Sequence, residues 1–176
     1  MKTLLSEVEL RAGVERMAAQ IQADYAGRSV TILGIMTGSV VLLADLIRRI
    51  DLPLRVGVVQ ASSYRGSTAR GALVIQADLM PDVTDRDVLL VDDIFDTGHT
   101  LVGLLAHLDT LGVRSARTAV LLFKEGRQEV SYRPDYVGFV IPDRFVVGYG
   151  LDYHDEYRHL PYVAALEPGE IARSAV

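Results

Sequence analysis

One stretch constrains this chain more than any other: Val88-Leu89-Leu90-Val91-Asp92-Asp93-Ile94-Phe95-Asp96-Thr97-Gly98-His99-Thr100-Leu101. Four apolar residues, β-branched at both ends, predict a fully buried strand over 88–91. Three carboxylates then arrive within five residues, and Thr97-Gly98-His99-Thr100 opens an apolar helix that ends before Gly112. Clustered charge against a buried strand costs desolvation energy that an ordinary surface turn has no reason to carry. A strand, an acidic tip, a small-residue loop and a helix start form a layout suited to a phosphorylated ligand. The free N–H groups and dipole of the helix start attract an anion, while the acids can bind hydroxyls, a metal or a proton.

The rest of the chain supplies a sheet for that strand. Ser6 followed by Glu9 is a capping-box pattern and predicts a helix over 6–24, stopped near Gly27. Residues 30–36 read as a buried strand, and Thr37-Gly38-Ser39 turns into a helix running to about 50. Strands are predicted at 54–62, 73–77, 115–123, 136–140 and 145–149. Residues 63–71 are polar, glycine-bearing and without period, which predicts a mobile loop. Leu101, Leu104, Leu105 and Leu108 lie at core spacing on a helix over 98–111, with Gly112 as its C′ residue. Strands alternating with helices imply an α/β fold with a doubly wound, mainly parallel sheet. Ligands of such sheets sit at the carboxyl ends of the strands, where Asp92, Asp93 and the Thr37-Gly38 turn fall. No internal repeat or linker divides the 176 residues, so one domain is expected.

Bulk composition narrows the partners. A net charge of −5 disfavours a nucleic-acid surface, and the absence of cysteine excludes disulfides, thiolate zinc and thiol catalysis. The longest apolar stretches are strand-sized, so no membrane span is expected. The first residues lack a secretory pattern, which makes a cytoplasmic location the expectation.

Residues 88–101 resemble the phosphoribosyl-pyrophosphate motif of type I phosphoribosyltransferases: two acids, then Asp-Thr-Gly-x-Thr. Pro134-Asp135-Tyr136-Val137-Gly138-Phe139-Val140-Ile141-Pro142-Asp143-Arg144-Phe145-Val146-Val147-Gly148-Tyr149-Gly150-Leu151-Asp152-Tyr153 is similar to the base-binding segment of the hypoxanthine (hypoxanthine-guanine) branch. The likeness runs over about 33–160. It implies a mainly parallel twisted sheet flanked by helices, with a core of about 25–140. A small hood would come from about 1–24 and 141–176, and a flexible lid from about 63–71. The implied reaction joins phosphoribosyl pyrophosphate to hypoxanthine or guanine with Mg²⁺, giving IMP or GMP and diphosphate. Homo-oligomers, dimers or tetramers, are implied as well.

The resemblance assigns roles to particular residues. The 5′-phosphate would rest on backbone N–H groups of 96–101, including those of His99 and Leu101, with the Thr97 and Thr100 hydroxyls, and Gly98 permitting close approach. Asp92 and Asp93 would take the ribose hydroxyls and help orient Mg²⁺, with Asp152 placing a second ion. Asp92 stands where the family often has glutamate. Asp96 matches the general base that takes or shares the purine N7 proton. Met36-Thr37-Gly38-Ser39 resembles the diphosphate loop, often built on a non-proline cis peptide, here at Met36–Thr37. Thr37 replaces a frequent basic residue there, and Arg158 matches an arginine that contacts diphosphate. Lys124 would donate to O6 of the purine; an ammonium has no acceptor for an amino group, which favours hypoxanthine or guanine over adenine. Phe145 would stack on the base, the Val146 carbonyl would read its edge, and Arg144 fills a position usually held by lysine. Ser63 and Tyr64 begin the lid.

Blander and rival readings remain beside these. Thr97 could simply cap its helix, Lys124 could be a solvated strand-end lysine, and Phe145 could be core. A phosphorylation-dependent receiver domain begins with a similar acidic strand, but no later lysine is present for it. A phosphoribosyl-pyrophosphate-sensing regulator that binds nucleic acid would call for a basic stripe or an added DNA-binding domain, and the net charge of −5 with no N-terminal helix-turn-helix pattern disfavours it. A xanthine-preferring transferase differs only in what fills the pocket.

Overall fold

The computed structural model describes residues 1–63 and 73–171. In chain order the elements are β1 (Lys2–Leu5), α1 (Glu7–Asp24), β2 (Val30–Met36), α2 (Val40–Ile47), β3 (Leu54–Ser63), β4 (Leu73–Gln76) and β5 (Asp87–Phe95). There follow α3 (His99–Thr110), β6 (Ser115–Lys124), β7 (Tyr136–Ile141), β8 (Val146–Val147), β9 (Val163–Ala165) and the single turn α4 (Pro168–Ile171). A six-stranded sheet has the order β4-β3-β2-β5-β6-β7 and is parallel except for the edge strand β4. Its inner strands are apolar on both faces because helices cover both. α1 and α2 bury Leu10, Val14, Ile21, Leu42 and Leu46 on one side. α3 buries Leu101, Leu104 and Leu108 on the other. The sheet is thus the α/β arrangement the alternating pattern implies.

The local signals act as expected at several ends. The Ser6 hydroxyl accepts from the Glu9 N–H, and the Glu9 carboxylate accepts in return from the Ser6 N–H, closing the capping box. Gly112, with φ +70°, follows the C-cap Leu111 of α3.

Three boundaries differ from the sequence reading. The strand predicted over 88–91 runs on to Phe95, because β6 continues the ladder opposite it, pairing Asp92 with Val120, Ile94 with Leu122 and Phe95 with Phe123. Paired backbone outweighs the poor strand propensity of the acids. Asp92 and Asp93 therefore stand on the strand itself. The segment 145–149 contributes only Val146–Val147, and these pair with β9 rather than with the main sheet. Gly148 and Gly150, with φ +95° and +100°, bend the chain away immediately afterwards. The helix expected to reach about 50 stops at Ile47.

A second, antiparallel sheet joins the two ends of the chain in the order β1-β9-β8, with Lys2 opposite Ala165. It brings residues after 145 over the carboxyl ends of β5 and β6, where Val146, Leu151 and Asp152 share one crevice with Lys124. The predicted lid, about 63–71, lies from residue 64 onward outside the described residues. Among the described residues, no helix is long and apolar enough to cross a membrane.

Candidate active site

β5 delivers its acids into a crevice of about 280 Å³ between the end of β2 and the start of α3. Met36, Gly38, Asp92, Asp93, Asp96, Thr97, Gly98, Thr100 and Leu101 all border it. Thr97 does not cap α3. Gly98 holds the N-cap position at φ +91° with no side-chain hydrogen bond, which leaves the first N–H groups of the helix open to a ligand. A side chain at 98 is also excluded by space: a Cβ would stand 2.4 Å from Val130 and 2.6 Å from the Phe95 ring.

The acid pair is closely enclosed while keeping an edge on the crevice. The Asp93 N–H donates to Asp92 Oδ1 at 3.0 Å. Burial, then the adjoining Asp93 charge, pushes the Asp92 carboxyl well above the usual carboxylate range. Burial raises Asp93 too, against opposing hydrogen bonds and the nearby Arg158 charge. Two crowded carboxylates of this kind gain from any cation or hydroxyl donor that approaches them. Gly38 is what admits the close approach on the β2 side, since a Cβ there would lie 1.8 Å from Asp93 Oδ2. The peptide bond before Thr37 is cis, as the resemblance implies. Thr37 itself is exposed and does not border the crevice.

A second crevice of about 200 Å³ adjoins the first and shares Asp93, Ile94 and Asp96 with it. Lys124, Phe145, Val146, Leu151 and Asp152 complete its walls. Phe145 is 42% exposed, so it is not a core residue. Tyr153 meets its ring edge-on at 5.1 Å between centroids, which leaves a ring surface available for stacking. Lys124 is nearly buried, and its Nζ lies 3.0 Å from Asp96 Oδ2. Burial works against ionising Asp96, but hydrogen bonds from Lys124 and Arg127 prevail and hold its carboxyl below the ordinary value.

Sequence reasoning passed over the turn after β6. Arg127 Nε donates to Asp96 Oδ1 at 3.1 Å, Gln128 Nε2 to the Asp96 carbonyl at 3.4 Å, and the Glu129 N–H to the Thr97 carbonyl at 3.0 Å. His99 turns away from the crevice to meet Glu129 at 2.9 Å. One polar loop thus braces the whole 96–99 turn, yet it carries no periodicity that would mark it. A lone arginine three residues past the end of β6 gave no signal; only the fold brings Arg127 to Asp96.

Arg158 borders neither crevice. Its guanidinium donates to the Gly150 carbonyl at 2.8 Å and pairs with Asp152 at 2.9 Å and Asp155 at 3.0 Å. Ser63 ends β3, and Tyr64 lies outside the described residues. Arg144 is exposed and borders neither crevice. For Mg²⁺ the donors are suitable in kind, since this ion takes one or two carboxylates and completes its shell with water and substrate phosphates. Asp92 and Asp93 offer that pair. Asp152 has both oxygens engaged, one by Arg158 and one by the Asp155 N–H. Among the described residues, no three His, Cys, Asp or Glu side chains gather as a metal set.

Comparison with known proteins agrees with this geometry. Residues 2–154 match the phosphoribosyl transferase domain. The hypoxanthine-guanine phosphoribosyltransferase of Staphylococcus epidermidis is 42% identical over 165 residues, covering 93% of this chain and 92% of its own. A bifunctional TilS/HprT protein of Listeria innocua is 39% identical over 168 residues, 95% of this chain; the chain spans about a quarter (26%) of that relative's length. The structure of Trypanosoma cruzi hypoxanthine phosphoribosyl transferase, studied for the effect of its C-terminal region on oligomeric state and activity, superposes with a TM-score of 0.93. It is 34% identical and the match covers 100% of this chain and 96% of that one. With the likeness extending through both crevices and the sheet that joins the termini, the chain belongs to the phosphoribosyltransferase family, in its hypoxanthine-guanine branch.

Proposed function

We propose that this chain is a purine-salvage transferase that moves the 5-phosphoribosyl group of phosphoribosyl pyrophosphate to N9 of hypoxanthine or guanine. The products are IMP or GMP and diphosphate. The observation that carries this reading is the meeting of two crevices at Asp93–Asp96, one suited to a sugar phosphate and one to a flat 6-oxo base. The first N–H groups of α3 hold the 5′-phosphate, with the Thr97 and Thr100 hydroxyls beside them. Asp92 and Asp93 accept from the ribose hydroxyls, and their charge stabilises the electron-poor C1 as its bond to diphosphate weakens. Backbone N–H groups of 37–39 face the departing diphosphate. Asp92 and Asp93 would hold Mg²⁺, with Asp152 near a second ion once released from Arg158, and the ion would supply positive charge to the departing diphosphate.

At the base, Phe145 stacks on the ring and the Val146 carbonyl reads its edge. Lys124 donates to O6, and with donors alone it discriminates against a 6-amino group. Asp96 takes or shares the N7 proton as N9 attacks, a contribution typically worth about 10²- to 10⁴-fold. We assign residues 1–176 to one domain acting in the cytoplasm as a homo-oligomer, a dimer or tetramer.

The test is catalytic efficiency with hypoxanthine, guanine, xanthine and adenine at saturating phosphoribosyl pyrophosphate and Mg²⁺. Hypoxanthine or guanine leads and adenine trails by at least about tenfold, the value of one charge-assisted hydrogen bond. A lead for xanthine would move the assignment to a xanthine-preferring enzyme, and no diphosphate release with any base would overturn it.

A further inference from the structure

Asp96 is held by two cations, and the reaction above employs only one of them. Lys124 Nζ lies 3.0 Å from Asp96 Oδ2, and Arg127 Nε lies 3.1 Å from Asp96 Oδ1. The same two cations reach Asp143 Oδ1, at 3.8 Å and 3.7 Å. Lys124, Asp96, Arg127 and Asp143 therefore close a ring of alternating charge at the mouth of the base crevice. Arg127 gains its place because Gly126, at φ +78°, reverses the chain after β6. The Glu125 N–H then ties the turn to the Ile141 carbonyl at 2.9 Å, and Gln128 Nε2 donates back to the Lys124 carbonyl.

A 6-oxopurine in the crevice competes with Asp96 for Lys124, because an ammonium that turns to O6 loosens its hold on Oδ2. Arg127 does not border that crevice and its side chain is about half exposed, so a bound base leaves its bond to Oδ1 in place. We infer that Arg127 is the positioning residue for Asp96. It fixes the carboxylate through one oxygen and leaves the other facing N7 when Lys124 moves, while Asp143 holds the guanidinium in register. A planar guanidinium gives this bond a direction that a lysine ammonium would not. The inference rests on the reading of Asp96 as proton acceptor.

The charged groups around Asp96 are Lys124 on β6, Arg127 on the turn after it, Asp143 beyond both cations, and Asp93 and Asp152 on the shared crevice walls. Removing the Arg127 cation raises the Asp96 carboxyl, so the acidic limb of the rate profile moves to higher pH. The experiment measures kcat, KM for hypoxanthine and KM for phosphoribosyl pyrophosphate across pH for the wild-type enzyme, Arg127→Ala, Arg127→Lys and Asp96→Asn, with thermal unfolding as a check on folding.

Arg127→Ala should lower kcat by about tenfold or more, a part of the roughly 10²- to 10⁴-fold that a well-placed base supplies, with KM for phosphoribosyl pyrophosphate unchanged and the acidic limb raised. Arg127→Lys should restore the limb but only part of kcat. A slow Asp96→Asn beside Arg127→Ala with wild-type kcat and limb would overturn the positioning role alone. Asp96→Asn at wild-type rate would remove the proton-acceptor reading and this inference with it. If Arg127→Ala does not fold, full kcat in Arg127→Lys would contradict the directional bond, and a reduced kcat with a restored limb would support it.

Discussion

Gly38 is the place where one added methyl group should tell most about the site. A Cβ there would stand 1.8 Å from Asp93 Oδ2 and 2.5 Å from Asp93 Cγ, about 1.6 Å short of the 3.4 Å at which ordinary contact begins. On its other side the loop passes close to Gly150, where a Cβ would stand only 2.2 Å from the Gly38 carbonyl oxygen. The backbone thus has little room to shift, and Gly38→Ala should displace the Asp93 carboxylate. Gly38 is not among the glycines with positive φ, so alanine adds no backbone strain and the loss is steric. Overpacking of this kind costs roughly 1–3 kcal/mol. At about 2–4 °C per kcal/mol for a chain of this length, Tm falls by roughly 2–12 °C. A reacting group moved by about 1 Å loses on the order of 10²-fold in rate. Thermal unfolding together with kcat/KM for phosphoribosyl pyrophosphate reads both effects. Gly112→Ala is the matched control: at φ +70° with nothing within 4 Å, it should cost ~1–2 kcal/mol and leave kcat/KM alone. Wild-type Tm and kcat/KM in Gly38→Ala would refute the reasoning.

Two further substitutions test the acids and the base pocket. Lys124→Gln should reduce kcat/KM for hypoxanthine by about 10- to 100-fold, the loss of one charged hydrogen bond, with KM for phosphoribosyl pyrophosphate little changed. Asp92→Asn should abolish most activity and yet stabilise the ligand-free protein. Because the fold raises the Asp92 carboxyl above its unfolded value, ionisation is resisted only in the folded state, so stability declines as pH rises past the ordinary carboxylate range. Asparagine removes that decline. Melting curves across pH should show a Tm gain that is larger at neutral than at acid pH, and a gain independent of pH would contradict the assignment.

The sequence made the centre of the molecule legible because two periods change over within one run. Val88–Val91 is apolar without interruption, Leu101, Leu104 and Leu108 recur at helical spacing, and only small or acidic residues lie between. Local rules sufficed for Ser6 and Gly112, whose partners are a few residues away. They failed where the partner is distant. Asp92 and Asp93 read as the end of a strand until β6 is known to pair beyond them. β1 and β9 are too short to signal themselves, and Lys2 meets Ala165 only after the chain has folded. The base pocket was legible through resemblance alone; Phe145 as a bare residue reads equally well as core. Arg127 was silent because its meaning comes from the Gly126 reversal and from Asp96, neither of which leaves a periodic trace.

The most direct measurement is a crystal structure of the protein with IMP. The 5′-phosphate should rest on the N–H groups at the start of α3, the ribose hydroxyls against Asp92 and Asp93, and the purine between Phe145 and Lys124, with Lys124 released from Asp96 toward O6. IMP bound elsewhere, with the crevice at the end of β5 free of it, would contradict the account.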